Sequence, residues 1–219
     1  MGSADGVRVR RMLRLRGRDR RRAQEVVCGR TGAVLLLNAS GCLDALTAPD
    51  VAQSFDSFVT KTVTPEPREG NAPVRIAETD FGMLNAIGLA NPGRDNFLRQ
   101  TLPRLARELD IPIWVSVGGF TARDYAVTCE QLTRDDVACL ELNLSCPNVD
   151  EAPESAAEIV RACREVTAKP LYAKVSPHSW DMGETVRAIE AAGADGLSLV
   201  NTLRGATLDA RLRPTLSRG

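Results

Sequence analysis

From Gly32 onward, short apolar runs alternate with stretches in which apolar residues recur every three or four positions. The runs of strand length fall at 34–38, 58–63, 113–118, 139–145, 171–176 and 196–201. Helical spacing covers about 48–56, 95–109, 122–133, 155–167 and 182–192, with Asp150 and Asp181 suited to open helices because their side chains can accept from first-turn N–H groups. Six strand-like runs alternating with five amphipathic segments predict parallel strands joined by crossover helices, an α/β protein of the TIM (β/α)8 type. The connection 65–92 is too long for an ordinary strand-to-helix loop and is expected to reach over a site as a lid.

In such a sheet, ligands meet the carboxyl ends of the strands. Standing there are Ala39-Ser40-Gly41, Lys61, Gly118-Gly119, Asn143 through Asn148, Lys174 and Asn201-Thr202. A single lysine in an apolar strand can lay its stem on the surface and keep its head in water. Two on one rim, converging with carboxamides, instead describe a site for a planar, anionic, hydrogen-bonding molecule. The stretch Cys139-Leu-Glu-Leu-Asn-Leu-Ser-Cys-Pro-Asn148 organises the chain. Pro147 has no N–H and ends the ladder, so Cys146 falls where strand becomes loop, as a thiol able to accept a proton. His178 is read as a loop residue.

Composition sharpens this picture. At 219 residues the chain is short for eight complete βα units. Residues 1–30 hold ten arginines and three acids, which leaves 18 of 28 basic and 25 of 28 acidic residues for an acidic body. The leader, 1–31, lacks the apolar stretch of a secretory signal and the aromatic interleaving of a nucleic-acid arm, and is expected to be disordered or non-native. Cys28, Cys42, Cys129, Cys139, Cys146 and Cys163 show no ligand spacing, and one histidine cannot build a metal cluster, so reduced thiols, no metal and a cytoplasmic setting are expected. No run of about 18 apolar residues is present to span a membrane.

The segment Glu141-Leu-Asn-Leu-Ser-Cys-Pro-Asn148 resembles the signature of the dihydroorotate dehydrogenases, flavoproteins of pyrimidine (UMP) biosynthesis that oxidise dihydroorotate to orotate. Further matches are Asn-Ala-Ser-Gly-Cys42, Phe-Val-Thr-Lys-Thr-Val-Thr-Pro-Glu-Pro-Arg68, Met-Leu-Asn-Ala-Ile-Gly-Leu-Ala-Asn-Pro-Gly93, Lys174 and Val-Asn-Thr-Leu203. Cysteine at position 146, and Asn-Ala-Ile-Gly-Leu89, are similar to class 1 and within it to class 1B. The resemblance implies FMN in this chain, with FAD and a 2Fe-2S cluster only on an electron-transfer partner subunit that passes electrons to NAD, and a homo-oligomer or heterotetramer when complete. It implies Cys146 as the base at C5 of dihydroorotate while hydride leaves C6 for the flavin. It implies cofactor contacts at Ala39, Ser40, Gly41, Lys61, Asn143 and Lys174. Substrate contacts are implied at Lys61, Asn85, Ile87, Gly88, Leu89, Asn143, Asn148, Asn201 and Thr202.

Two other readings compete. Dihydropyrimidine dehydrogenases share Asn-x-Ser-Cys-Pro but tend to follow it with His, where this chain has Asn148. The other is an inactive barrel fragment with an Arg-rich, nucleic-acid-binding tail, which would hold DNA in a salt-dependent way. The tail after 201 is too short and polar for two more βα units, so the expectation is an incomplete barrel whose phosphate-binding loops lie beyond residue 219.

Overall fold

The computed structural model describes residues 34–80, 82–145, 153–179 and 181–216; the leader, Cys146 and Asn148 lie outside these. Five strands, β1 (Phe58–Val59), β4 (Ile113–Val117), β5 (Cys139–Asn143), β6 (Leu171–Lys174) and β7 (Gly196–Ser198), form one parallel sheet in the order β1-β4-β5-β6-β7. Sequence order equals spatial order, and a helix follows each of the middle strands: α4 (Ala122–Gln131), α5 (Pro153–Val166) and α6 (Met182–Ala191). That is the winding of a (β/α)8 barrel, of which the sheet makes a curled part.

Side chains alternate between two environments along each strand. Val115, Val117, Leu140, Leu142, Leu171 and Ala173 are fully buried on the helix side, against Tyr125, Cys129, Val160 and Ile189. On the inner side, Val59, Trp114 and Cys139 cluster with Leu37 and Tyr172, and the Trp114 and Tyr172 rings meet at 4.7 Å. Two steps further along the same strands, the inner face turns polar: Ser116 after Trp114, Glu141 and Asn143 after Cys139, Lys174 after Tyr172, Ser198 after Gly196. The apolar cluster is thus the floor of a polar site that opens at the carboxyl ends. Because both faces are covered, these strands read in the sequence as nearly continuous apolar runs.

The rim is fixed by local bonds. Asp124 accepts from the N–H groups of Phe120 and Thr121 at 3.0 Å each, while Thr121 Oγ1 accepts from Asp124 N at 3.2 Å, a reciprocal cap that starts α4. Asp181 Oδ1 likewise accepts from Glu184 N at 2.8 Å and starts α6 as the sequence suggested.

Three expectations need correction. The run 34–38 is not a strand but a single parallel bridge, Leu37 to Ser57. Its place in the ladder is taken by side chains: Asn38 accepts from Val59 N and donates to Val59 O, both at 2.8 Å, and Ser40 Oγ donates to Thr60 O at 2.9 Å. The helix expected over 48–56 shrinks to α1 (Pro49–Ala52), whereas the one expected over 95–109 runs without a break as α2 (Arg94–Asn96), a wider π turn (Phe97–Thr101) and α3 (Leu102–Glu108). Pro103 accounts for the π turn, since it has no N–H to give and its ring crowds the carbonyl four residues back. Finally, the long connection carries an antiparallel hairpin, β2 (Ile76–Thr79) with β3 (Gly82–Asn85).

Candidate active site

The first feature is a register change in β1. Val59 pairs with Trp114 and Val63 with Val117, so three residues, Thr60, Lys61 and Thr62, stand opposite two, Val115 and Ser116. This is a bulge, uncommon between parallel strands and frequent at barrel rims near sites. The ladder closes around it through a side chain: Ser116 N donates to Thr60 Oγ1 at 3.2 Å instead of to a backbone carbonyl. The extra residue turns both Thr62 and Lys61 to the site. Thr62 Oγ1 lies 3.0 Å from Ser116 Oγ and 3.4 Å from Ser40 Oγ, and the Lys61 chain runs past Gly41, where a Cβ would stand 3.1 Å from its Cδ. Gly41 also has φ of 80°, so both its space and its backbone favour glycine.

Asn143 is the hub. Only 6% exposed, it donates from Nδ2 to Thr62 Oγ1 at 3.2 Å and accepts at Oδ1 from Ser145 Oγ at 2.9 Å and Asn201 Nδ2 at 3.2 Å. Ser145 and Asn201 also contact one another, and Tyr125, buried in the helix-side core, donates from its hydroxyl to the Asn143 carbonyl at 2.7 Å. β1, β5 and the segment after β7 therefore meet in one amide-hydroxyl cluster, whose members hold one another in fixed orientations.

Lys61 and Lys174 supply the charge. Burial pushes the Lys61 ammonium below the ordinary lysine range; the nearby Cys42 opposes this, and Lys174 adds to it. That Lys174 repels Lys61 places both cations in one electrostatic neighbourhood. Lys174 pairs in register with Asn143 on one side and Ser198 on the other.

The 65–92 connection is tied down at its stem. Asn91 Oδ1 accepts from Thr64 N and Gly93 N, and its Nδ2 donates to Thr64 Oγ1 and Leu89 O, the last two at 2.7 Å. Arg68 pairs with Asn91 through both backbone bonds and stacks its guanidinium 5.1 Å from the centre of the Phe120 ring. Asn91→Ala strips four bonds from this stem. The expected result is cleavage of 65–92 by a dilute protease on the order of tenfold faster, with little change in global melting, since local opening is what those bonds oppose. Unchanged cleavage would show that the stem is held elsewhere.

Of the residues singled out in the sequence, the structure brings together Ser40, Gly41, Lys61, Asn143, Lys174 and Asn201. Ser40, though, spends its hydroxyl proton on the Thr60 carbonyl. Asn85 is exposed on the hairpin opposite Ile76, and Thr202 is exposed with its N–H on Asn201 Oδ1. Ile87 O accepts from Asn71 N, and Gly88 and Leu89 follow with φ of 73° and 57°. Ala39 O caps the turn by accepting from Cys42 N at 3.1 Å. His178 Nε2 accepts from Arg204 N at 3.0 Å, a loop-anchoring role. Thr62, Ser116, Glu141 and Ser198 belong to the site but were not singled out. The signal for Ser116, Glu141 and Ser198 was present as polar residues two positions beyond Trp114, Cys139 and Gly196 in otherwise apolar strands, whereas Thr62 lies beyond the bulge and off that spacing.

Comparison with known proteins agrees with the geometry. A family model described as Dihydroorotate dehydrogenase matches residues 23–218. The chain is 42% identical over 198 residues to a protein named Dihydroorotate dehydrogenase B (NAD(+)), catalytic subunit, of Halalkalibacterium halodurans, covering 84% of this chain and 64% of that protein. Proteins of the same name from Latilactobacillus sakei (42% over 192 residues) and Bacillus caldolyticus (41% over 198 residues) each have 62% of their length covered. The chain thus spans less than two thirds of the length of these relatives. With the match running over nearly all of the described barrel, this chain belongs to the dihydroorotate dehydrogenase family.

Proposed function

We propose that the protein of which this chain is part oxidises dihydroorotate to orotate, with residues 32–219 contributing a flavin-binding barrel unit behind a basic leader, 1–31. The observation that supports this best is the Asn143–Thr62–Asn201 cluster flanked by Lys61 and Lys174 at the carboxyl ends of parallel strands. The residues fit a flavin on one further count: Lys61 and Lys174 bring two positive charges to one rim, and an anionic, planar group bound there offsets them. FMN, when bound, supplies the two-electron acceptor.

The chain's own groups do the rest. Gly41, lacking a side chain, lets backbone approach the ring, while Ala39, Ser40 and Asn143 line the same edge. Lys174 holds a positive charge where negative charge accumulates on reduction. Lys61, Asn201 and Asn143 orient the substrate carboxylate and ring amides together with Asn85, Thr202, Asn148 and the backbone of Ile87, Gly88 and Leu89. Cys146 removes the C5 proton. Closure of the lid over this arrangement keeps bulk water from the proton as it moves. The relatives' name, an NAD(+)-linked catalytic subunit, supports a partner subunit that links the reaction to NAD; we further propose that this partner carries FAD and a 2Fe-2S cluster and that the assembly is cytoplasmic. Among the described residues no helix is long and apolar enough to cross a membrane.

A purified full-length protein with a flavin absorbance spectrum that orotate perturbs and uracil does not would support this reading. A colourless protein, or one that answers to uracil, would overturn it. Lys61 adds a pH signature. An anion binds the protonated lysine, so orotate affinity should be constant below the lowered Lys61 value and fall about tenfold per pH unit above it, at a lower pH than an ordinary lysine would allow. Lys61→Met should weaken binding and remove that limb; retention of the limb would assign it to another group.

A further inference from the structure

Glu141 sits on β5 one inner-face step below Asn143, 5% exposed, above the apolar floor of Trp114, Tyr172 and Val59. Its Oε2 accepts from Ser198 Oγ at 2.8 Å, and its Oε1 is buried without a partner. To make the bond to Ser198, the carboxylate crosses β6, and Ser198 is the register partner of Lys174. Partners in register point to the same face at adjacent positions, so the Glu141–Ser198 bond passes the β6 position that Lys174 occupies on the inner face. A carboxylate in a pocket of this kind persists only with a compensating positive charge, and the inner face offers Lys174 and, beyond it, Lys61.

We propose that Glu141 is the buried counter-charge of Lys174, a positioning residue that sets the net charge beneath the flavin. Two ammonium groups and one carboxylate leave one net positive charge there, rather than the two that the lysines alone would give. The consequence for redox poise rests on the flavin reading above; the charge pairing itself does not.

The test uses the full-length protein as wild type, Glu141→Gln, Lys174→Met, the double variant and Glu141→Asp. Each is equilibrated with a reference dye at one fixed potential, and the ratio of reduced to oxidised flavin is read from absorbance. Glu141→Gln adds a net positive charge and should raise the ratio at least tenfold. Lys174→Met removes one and should lower it at least tenfold. The double variant restores the sum and should return within threefold of wild type, as should Glu141→Asp, which keeps the charge. A Glu141→Gln ratio that is unchanged or lower would overturn the proposal, because a merely structural loss loosens Lys174 and pushes the ratio down. If Glu141→Gln does not fold, Glu141→Asp carries the test, and a tenfold change in its ratio overturns the idea. Thermal unfolding of the same proteins decides the pairing without cofactor: a loss in the double variant smaller than the sum of the single losses supports it, and a simple sum overturns it. A wild-type protein that binds no flavin defeats the proposed function and leaves the melting comparison standing on its own.

Discussion

Replacing Cys146 with alanine should leave orotate binding near its wild-type level and slow reduction of the bound flavin by dihydroorotate by about 10²–10⁴-fold, the range a positioned general base contributes. The asymmetry follows from the role proposed for the thiol. In that role it meets the C5 proton only as that proton leaves, so its loss falls on the transition state and not on the ground-state complex. A free thiol titrates near pH 8.5, close enough to neutrality to serve as a base. Cys146→Ser should keep a little activity that rises with pH, because a hydroxyl gives up its proton far less readily. Stopped-flow reduction is the measurement, with orotate titration on the same protein as the control. A wild-type rate in Cys146→Ala would remove this residue from the chemistry.

The second large effect is expected at Asn143. Leucine has nearly its shape but none of its hydrogen bonds, so Asn143→Leu leaves Thr62, Ser145 and Asn201 without the partner they share. Buried groups stripped of partners cost about 1–3 kcal/mol each, and relaxation recovers part of this, so a loss of about 2–4 kcal/mol in stability is expected. For a chain of this size that lowers the melting temperature by roughly 5–15 °C. Orotate affinity should fall by about 100-fold or more, since the same change unhooks Asn201 and removes the ligand contact proposed for Asn143. Calorimetry and a flavin-perturbation titration check the two parts. A stable variant that still binds orotate would show that the cluster is scaffolding alone.

Some of this was legible in the chain and some was not, for identifiable reasons. β4, β5 and β6 announce themselves because strands buried on both faces must be apolar almost throughout, and the strand-end position of Lys174 and Asn143 follows directly. The bulge at Lys61 could not be read, since Thr-Lys-Thr-Val looks like a regular strand and the mismatch exists only against Val115 and Ser116, more than fifty residues away. The run at 34–38 misled for the opposite reason: Asn38 and Ser40 use side chains where a strand would use backbone. The hairpin 76–85 was missed because its exposed faces, with Ile76 and Met83 open to solvent, lack the inside-outside alternation that marks a strand. Glu141 stood in plain view within the signature segment. What gives it a role is Ser198, 57 residues later, and no local pattern couples the two.

The three-against-two mismatch around Lys61 carries a lesson for anyone engineering this chain. Removing one residue from 60–62 would bring the offset at Val63 into line with that at Phe58 and Val59, and the strand would run straight into its neighbour. The sheet would be more regular for the loss, yet the cation that faces the site would be gone or turned away. Selection by heat alone would therefore reward shortened variants that have been blinded to their ligand, and a library built for thermostability should hold these three positions fixed at their present length.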